Sequence, residues 1–241
     1  MEPSFNPEVI PMLHTERTSS SKTPRKNLVR KPKPSAVRFA APSPALLHRQ
    51  VHVIEHPVFA HKLGILRNKE TSSCDFRKVF DELSTMLAYE ATRDLKLKTE
   101  LIQTPMQPTR VSRIAEEVIL ACILRAGEGM LHGFLEALPF AQVGHVGIYR
   151  DRAMNNTIEY YFKMPKDVTN KRVWLLDPLL ATGDTALAAL DRLKQYGVGK
   201  IRLITILSSK IGISKVLAEH PDTEIYTLSI EEAVNERGFL L

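Results

Sequence analysis

The chain has 241 residues, 44% of them hydrophobic and 25% charged, the composition of an ordinary globular protein with room for one large domain or two small ones. Its net charge of +6 sits wholly in residues 1–50, which hold 9 Lys/Arg against 3 Glu, while residues 51–241 hold 24 of each sign. The body thus has no electrostatic footprint for nucleic acid, no apolar run approaches the ~18 residues of a membrane span, and the N-terminus lacks the pattern of a secretory signal.

Between Arg17 and Arg49 there is no acid but much Ser, Pro, Lys and Arg ("TSSSKTPRKNLVRKPKPSAVR"). Such a segment cannot bury a core and is expected to be disordered. Three roles stay open for this extension: an organelle transit peptide, a basic nucleic-acid or nuclear-import arm, or a solvated tail. Glu2, Glu8 and Glu16 count against the first. The expected location is the cytoplasm, or a plastid or mitochondrion if residues 1–50 are a transit peptide. Cys74 and Cys122 lie 48 positions apart; this suggests neither a disulfide framework nor a zinc site and fits a reducing compartment. Both read as ordinary thiols, and no residue is assigned as a metal ligand.

From about Val51 the pattern turns globular. In "CDFRKVFDELSTMLAYEATRDL", Phe76, Val79, Phe80, Leu83, Met86, Leu87 and Ala91 recur at helical spacing, with Ser72 or Ser73 as the cap. "LKLKTELIQTP" alternates like an exposed strand. Five short apolar runs follow: "EVILACIL" (117–124), "VGHVGIY" (143–149), "RVWLLD" (172–177), "IRLITIL" (201–207) and "EIYTLSI" (224–230). Helical stretches separate most of them: "GEGMLHGFLEAL", "DTALAALDRLKQYG" and "ISKVLAEHP". Solidly apolar strands alternating with helices argue an α/β fold with a parallel sheet covered on both faces. No internal repeat is present.

Ligands of open α/β sheets bind outside the carboxyl ends of the strands. Those ends carry Arg125-Ala126-Gly127 after the first run, Arg150-Asp151-Arg152 after the second, and Asp177 with a loop to Thr185 after the third. Arginine suits bidentate phosphate binding. The turn Ala181-Thr182-Gly183-Asp184-Thr185 opens a helix, whose first N–H groups and dipole attract anions, and Thr182 and Thr185 add hydroxyls. The set suits a doubly phosphorylated ligand, with Asp177 taking sugar hydroxyls or a divalent cation. Taken singly, the Thr-Gly turn is also a plain helix cap and each arginine a solvated strand end. The glycines Gly127, Gly129 and Gly133 imitate a dinucleotide fingerprint, but its sixth position is His132 and its spacing is off by one. No Gly-Lys-Ser/Thr closes a P-loop.

The segments "ILRAGEGM", "GHVGIYRD" and "DPLLATGDTA", in this order and spacing, resemble the uracil phosphoribosyltransferases. The resemblance runs from "HPVFAHKLGILR" (56–67) through "LAYEATRDL" (87–95), "EYYFKMP" (159–165) and "HPDTEIYTLSI" (220–230) to "NERGFLL" (235–241). It implies a type I phosphoribosyltransferase fold with a small hood over residues 51–241. It also implies synthesis of UMP and pyrophosphate from uracil and 5-phosphoribosyl 1-pyrophosphate, with Mg²⁺ as cofactor, and assembly into dimers or larger oligomers. By the same resemblance Arg125 and Arg150 grip the pyrophosphate. Asp177, the catalytic residue of the set, joins Pro178, Leu179, Leu180, Ala181, Thr182, Gly183, Asp184 and Thr185 around the ribose and its 5′-phosphate. Tyr160, Tyr161 and Phe162 fall in a flap, where packing or a dimer contact is their expected role. Leu240 matches a position that gives uracil a backbone contact.

The chain departs from the family pattern in three places. Asp184 stands where glycine is frequent; a carboxylate beside a bound phosphate repels it, so Asp184 is expected to face outward. Ser208-Ser209-Lys210-Ile211-Gly212 replaces small residues followed by Pro-Glu-Gly, and reads as a plain strand-to-helix connection. The family's Pro-Gly-Leu-Gly-Asp-Ala-Gly-Asp stretch, which reads the uracil edge, does not follow Leu241, so the domain is expected to be incomplete at that end. The alternative to an enzyme is therefore a non-catalytic regulator that binds phosphoribosyl pyrophosphate and has lost base binding.

Overall fold

The structure is a computed structural model in which residues 49–151, 156–232 and 234–235 are described. The expectations for residues 1–48 and for Leu240 lie outside that set. Seven strands form the central sheet: β1 (Val51–Val53), β4 (Val118–Leu124), β5 (Gln142–Asp151), β6 (Asn156–Lys163), β7 (Arg172–Leu176), β9 (Lys200–Ile204) and β11 (Glu224–Thr227). Their order is β1-β11-β9-β7-β4-β5-β6. All neighbours pair in parallel except β5 and β6, which form an antiparallel hairpin. This is the expected α/β architecture.

Why the strand sequences are apolar throughout is visible in where alternate residues go. Ile119, Ala121 and Ile123 of β4, Val173 and Leu175 of β7, and Ile201 and Leu203 of β9 face one core. Leu120, Cys122, Trp174, Leu176 and Ile204 face the other. The first core is covered by α4 (Asp184–Gln195) and α5 (Lys210–Glu219), the second by α1 (Pro57–Arg67), α2 (Ser73–Ala91) and α3 (Glu128–Ala137). A strand buried on both faces has no room for period-2 alternation. Ser72, of the two candidates, caps α2: its hydroxyl accepts from Asp75 N–H at 3.1 Å and donates to the Asp75 carboxylate at 2.7 Å. Phe76, expected inside, is 41% exposed and stacks on Phe80, their ring centres 5.9 Å apart.

Three features differ from the expectation. The alternating strand β2 (Leu97–Gln103) pairs antiparallel with β3 (Pro108–Ile114), whose polar, exposed sequence "PTRVSRI" gives no apolar signal. β5 does not end before Arg150; it runs on to Asp151, where Arg150 pairs with Thr157. And the last three apolar runs are not single strands. Each breaks and resumes, as β8 (Leu179–Leu180), β10 (Leu207–Ser209) and β12 (Ser229–Glu231), to form a second, parallel sheet in the order β12-β10-β8. At the first break Pro178 has no N–H to give to a ladder, and its carbonyl accepts from both Ile206 and Leu207 N–H at 3.0 Å.

The opposite end of the sheet is closed by a charge cluster. Arg202 stands inside the apolar strand β9 with only 4% of its surface exposed. It donates to Asp94 at 2.8 and 3.0 Å, to Glu224 at 2.6 and 2.9 Å, and to the Ala91 carbonyl at the end of α2 at 2.7 Å. Its guanidinium lies 4.2 Å from the Tyr226 ring centre and 5.7 Å from that of Trp174. Asp94, also bonded by Arg172 at 2.6 Å, is held far below the usual carboxylate range by the hydrogen bond from Arg202 and, after it, that from Arg172. Removing a charged partner from such a set leaves the others uncompensated, at a cost of about 3 kcal/mol. Arg202→Leu should lower the urea-unfolding free energy by about that much, and Arg172→Leu, at the wetter end, by under about 1 kcal/mol. Equal losses would show that the buried arginine has no special part.

Candidate active site

The strand ends meet as the sequence suggested. A cleft of about 280 Å³ is lined by Ile123 to Ala126, Ile148, Asp177 and Leu179 to Ala186. Arg125 reaches it from the turn between β4 and α3, where it is exposed. Gly127 permits that turn: a Cβ there would lie 2.3 Å from the Leu176 carbonyl oxygen and 2.8 Å from Ile123 N and O. This first glycine of the fingerprint-like triplet is thus consumed by contact between α3 and the sheet. Arg150 stands two residues beyond Ile148, a cleft residue, in the β5–β6 hairpin.

The loop from β7 to α4 is built for anion contact. Gly183 takes φ +83°, the left-handed region that favours glycine, and no side chain caps the helix that it opens. The first N–H groups of α4 are thereby left for a ligand, with the helix dipole behind them. Asp184 pairs with Lys215 of α5 and accepts the Thr182 hydroxyl at 2.9 Å. Its charge is therefore offset within the protein, and the residue borders the cleft. The Thr182 hydroxyl donates to Asp184, while Thr185 keeps its hydroxyl without a protein partner among the described residues.

Other residues of the loop serve as frame. Leu180 is buried in the core and pairs with Ser208 through the backbone, and Leu179 pairs with Leu207. Pro178 is not part of the cleft wall; its contribution is the strand break. The segment "SSKIG" does more than connect β10 to α5. Ser209 caps α5 by accepting Gly212 N–H at 2.8 Å, and it donates to the Ala181 carbonyl at 2.5 Å. It thus braces the phosphate-loop candidate from behind, a role carried by the sequence signal of a serine three residues before glycine at a helix start. In the hairpin, Phe162 packs beneath Arg192, 3.8 Å from its ring centre, and against Tyr196. Tyr160 and Tyr161 remain exposed.

Asp177 is the electrostatic anomaly of the site. Its carboxyl is buried, with 9% of the residue exposed. Burial raises its pKa from 3.8 to about 7, against the lowering effect of a hydrogen bond from the Leu179 backbone. Because the folded value lies above the unfolded one, the associated stability is complete below about pH 4 and is lost as the pH rises through 7. A rise of this size corresponds to ~4 kcal/mol once the group is fully ionised. The stability of Asp177→Asn relative to the unsubstituted chain should therefore grow by roughly 3 kcal/mol between about pH 5 and pH 8. Urea unfolding at the two pH values measures this, and a constant difference would mean that the carboxyl is not desolvated.

A sequence model of the family "Uracil phosphoribosyltransferase" matches residues 53–241. Curated relatives include the uracil phosphoribosyltransferase of Rhizobium leguminosarum bv. trifolii, 46% identical over 193 residues that cover 79% of this chain and 92% of the relative. That of Brucella anthropi is 43% identical over 192 residues, with the same coverage of each chain. Among solved structures, AQ2163 protein from Aquifex aeolicus is 31% identical and superposes with a TM-score of 0.75 over 79% of this chain and 91% of its own. The match spans the cleft and the β5–β6 hairpin, and the chain belongs to the uracil phosphoribosyltransferase family.

Proposed function

We propose that the chain transfers the phosphoribosyl group of 5-phosphoribosyl 1-pyrophosphate to uracil, giving UMP and pyrophosphate. The observation that carries this reading is that Arg125, Asp177 and the Ala181–Thr185 loop, far apart in sequence, line one cleft at the carboxyl edge of the sheet in a chain matched by the family over residues 53–241. The zero net charge of residues 51–241 supports small substrates rather than nucleic acid. No helix among the described residues is long and apolar enough to cross a membrane. Exposed Tyr89, Leu97 and Leu101 support association of copies through the α2 and β2–β3 side.

Each group has a task in such a transfer. The uncapped start of α4 and the Thr185 hydroxyl hold the 5′-phosphate, and Gly183 lets the backbone turn its N–H groups toward it. Asp177, next to the strand break, accepts the ribose hydroxyls and holds negative charge near the sugar carbon as positive charge develops there. The bond from that carbon to the pyrophosphate oxygen breaks, its electron pair leaving with pyrophosphate, and the uracil nitrogen supplies the new bond and gives up its proton to solvent. Arg125 faces the leaving group and offsets its growing charge; Arg150 is assigned the same side. Most of the acceleration then comes from position and charge rather than from a covalent intermediate. A hard divalent ion suits the site, because one carboxylate plus substrate phosphate oxygens is a sufficient protein share for Mg²⁺. Mg²⁺ supplies charge neutralisation on the diphosphate, and Asp177 is the cleft carboxylate that would hold it.

Steady-state assay of UMP formation tests the assignment. Arg125→Ala should lower kcat/KM for phosphoribosyl pyrophosphate by roughly 10²–10³-fold, with unchanged thermal stability; activity within about threefold of the unsubstituted chain would remove Arg125 from the site. Lys215 gives a second, sharper test. In Lys215→Met the Asp184 carboxylate loses the Lys215 charge beside the bound phosphate, and affinity for the phosphorylated sugar should fall. Adding Asp184→Gly to that variant should restore most of the loss, and Asp184→Gly alone should change affinity by less than about tenfold. No recovery in the double variant would show that Lys215 acts on the ligand directly.

A further inference from the structure

One cluster of chemically capable side chains is not used by the cleft. Cys122 of β4 and His145 of β5 are direct cross-strand partners in the parallel ladder and so point to the same side of the sheet. Glu128, in the first turn of α3, closes over them. Cys122 Sγ lies 3.4 Å from Glu128 Oε2, and His145 Nε2 lies 3.6 Å from the same oxygen. All three donor atoms fall within 4.8 Å of one another. None of the three lines the phosphate cleft.

These separations are the edges of a tetrahedral coordination site. With Zn–S near 2.3 Å and Zn–N or Zn–O near 2.0 to 2.1 Å, tetrahedral ligands sit about 3.3 to 3.6 Å apart. The two edges to Glu128 meet that condition as they stand, and the third, between Cys122 and His145, lies within 4.8 Å. The donor set is one thiolate, one imidazole and one carboxylate, a soft-to-borderline combination that selects Zn²⁺ over Mg²⁺ or Ca²⁺. Access exists, since the Cys122 thiol is buried while the His145 and Glu128 side chains are 31% and 58% exposed. The ion would arrive over the exposed pair and leave a fourth position for water.

We propose that Cys122, Glu128 and His145 form a binding site for Zn²⁺ or a similar divalent transition-metal ion, distinct from any Mg²⁺ held with the sugar phosphate. The site adjoins the catalytic frame. Glu128 N–H donates to the Arg125 carbonyl at 3.3 Å, closing the turn that presents Arg125. An ion bound here ties that turn and the start of α3 to β4 and β5 at once. It therefore fixes the position of Arg125 without touching the substrate. The inference does not rest on which base the enzyme uses.

Cobalt substitution tests the site directly. The chelator-treated 241-residue chain is titrated with Co²⁺. The expected result is the visible d–d absorption of a tetrahedral ion, a near-ultraviolet thiolate-to-cobalt charge-transfer band, and saturation at one ion per chain. Zn²⁺ should displace the cobalt, and a large excess of Mg²⁺ should not. His145→Gln and Glu128→Gln should each weaken binding by more than roughly 100-fold, since loss of a ligand exceeds the cost of losing a ligand's supporting contact. The buried Cys122→Ser variant should lose the charge-transfer band, and Cys74→Ser, which changes the exposed thiol, should keep it. Absence of the band in a chain that is folded by circular dichroism overturns the proposal. So does a band that vanishes with Cys74→Ser, or one that survives His145→Gln and Glu128→Gln unchanged.

Discussion

Pro178 is the constraint from which the cleft follows. Three neighbouring parallel strands run to the same level and each stops being a simple ladder there. The first cannot continue past Asp177, because Pro178 has no N–H. Its carbonyl instead takes two donors from the adjacent strand, Ile206 and Leu207, and the second sheet β12-β10-β8 starts from that joint. Asp177, whose N–H makes the last bond of the β7 ladder to the Ile204 carbonyl at 3.2 Å, stands just before the break and in the cleft wall. The break also sets β8 at the height from which three residues, Ala181 to Gly183, reach the start of α4. The loop is therefore held at both ends by hydrogen-bonded structure, with Ser209 fastened to its Ala181 carbonyl. Preorganisation of this kind is what a reaction of charge and position requires.

The burial of Asp177 belongs to the same logic. Burial raises the pKa of this carboxyl against a single backbone hydrogen bond, from Leu179. Hydroxyls of a bound sugar, or a cation carried in with phosphates, supply the missing partners. The free protein thus carries a local cost that ligand relieves, a common property of sites tuned for binding rather than for stability. Stability is secured at the far end of the sheet instead, where Arg202 joins α2, β9 and β11 through Asp94, Ala91 and Glu224.

Much of this was legible in the residues, and the parts that were not share a cause. Solid apolar runs gave the parallel sheet because burial on both faces leaves a direct mark on sequence. The convergence of Arg125, Asp177 and the Thr-Gly turn followed from the rule about carboxyl ends. The strand breaks at Thr205 and Leu228 were hidden, because "IRLITIL" and "EIYTLSI" stay apolar across them and only the partner strand, broken by proline, reveals the reason. β3 was missed because the hairpin is exposed on one face and only half-buried on the other, so few apolar residues mark it. The partners of Asp184 and the Cys122–Glu128–His145 cluster depend on pairings set by tertiary packing and strand register, Lys215 lying 31 positions from Asp184 and Cys122 opposite His145. Spacing along the chain carries no trace of either.

The most direct measurement is equilibrium binding of labelled 5-phosphoribosyl 1-pyrophosphate to the 241-residue chain with Mg²⁺, followed by addition of uracil and analysis of the product. Saturable binding that is lost in Arg125→Ala, with labelled UMP appearing once uracil is added, is the result this structure predicts. A folded chain that does not bind the phosphorylated sugar would contradict the assignment of the cleft, and binding without UMP would contradict the assignment of the reaction.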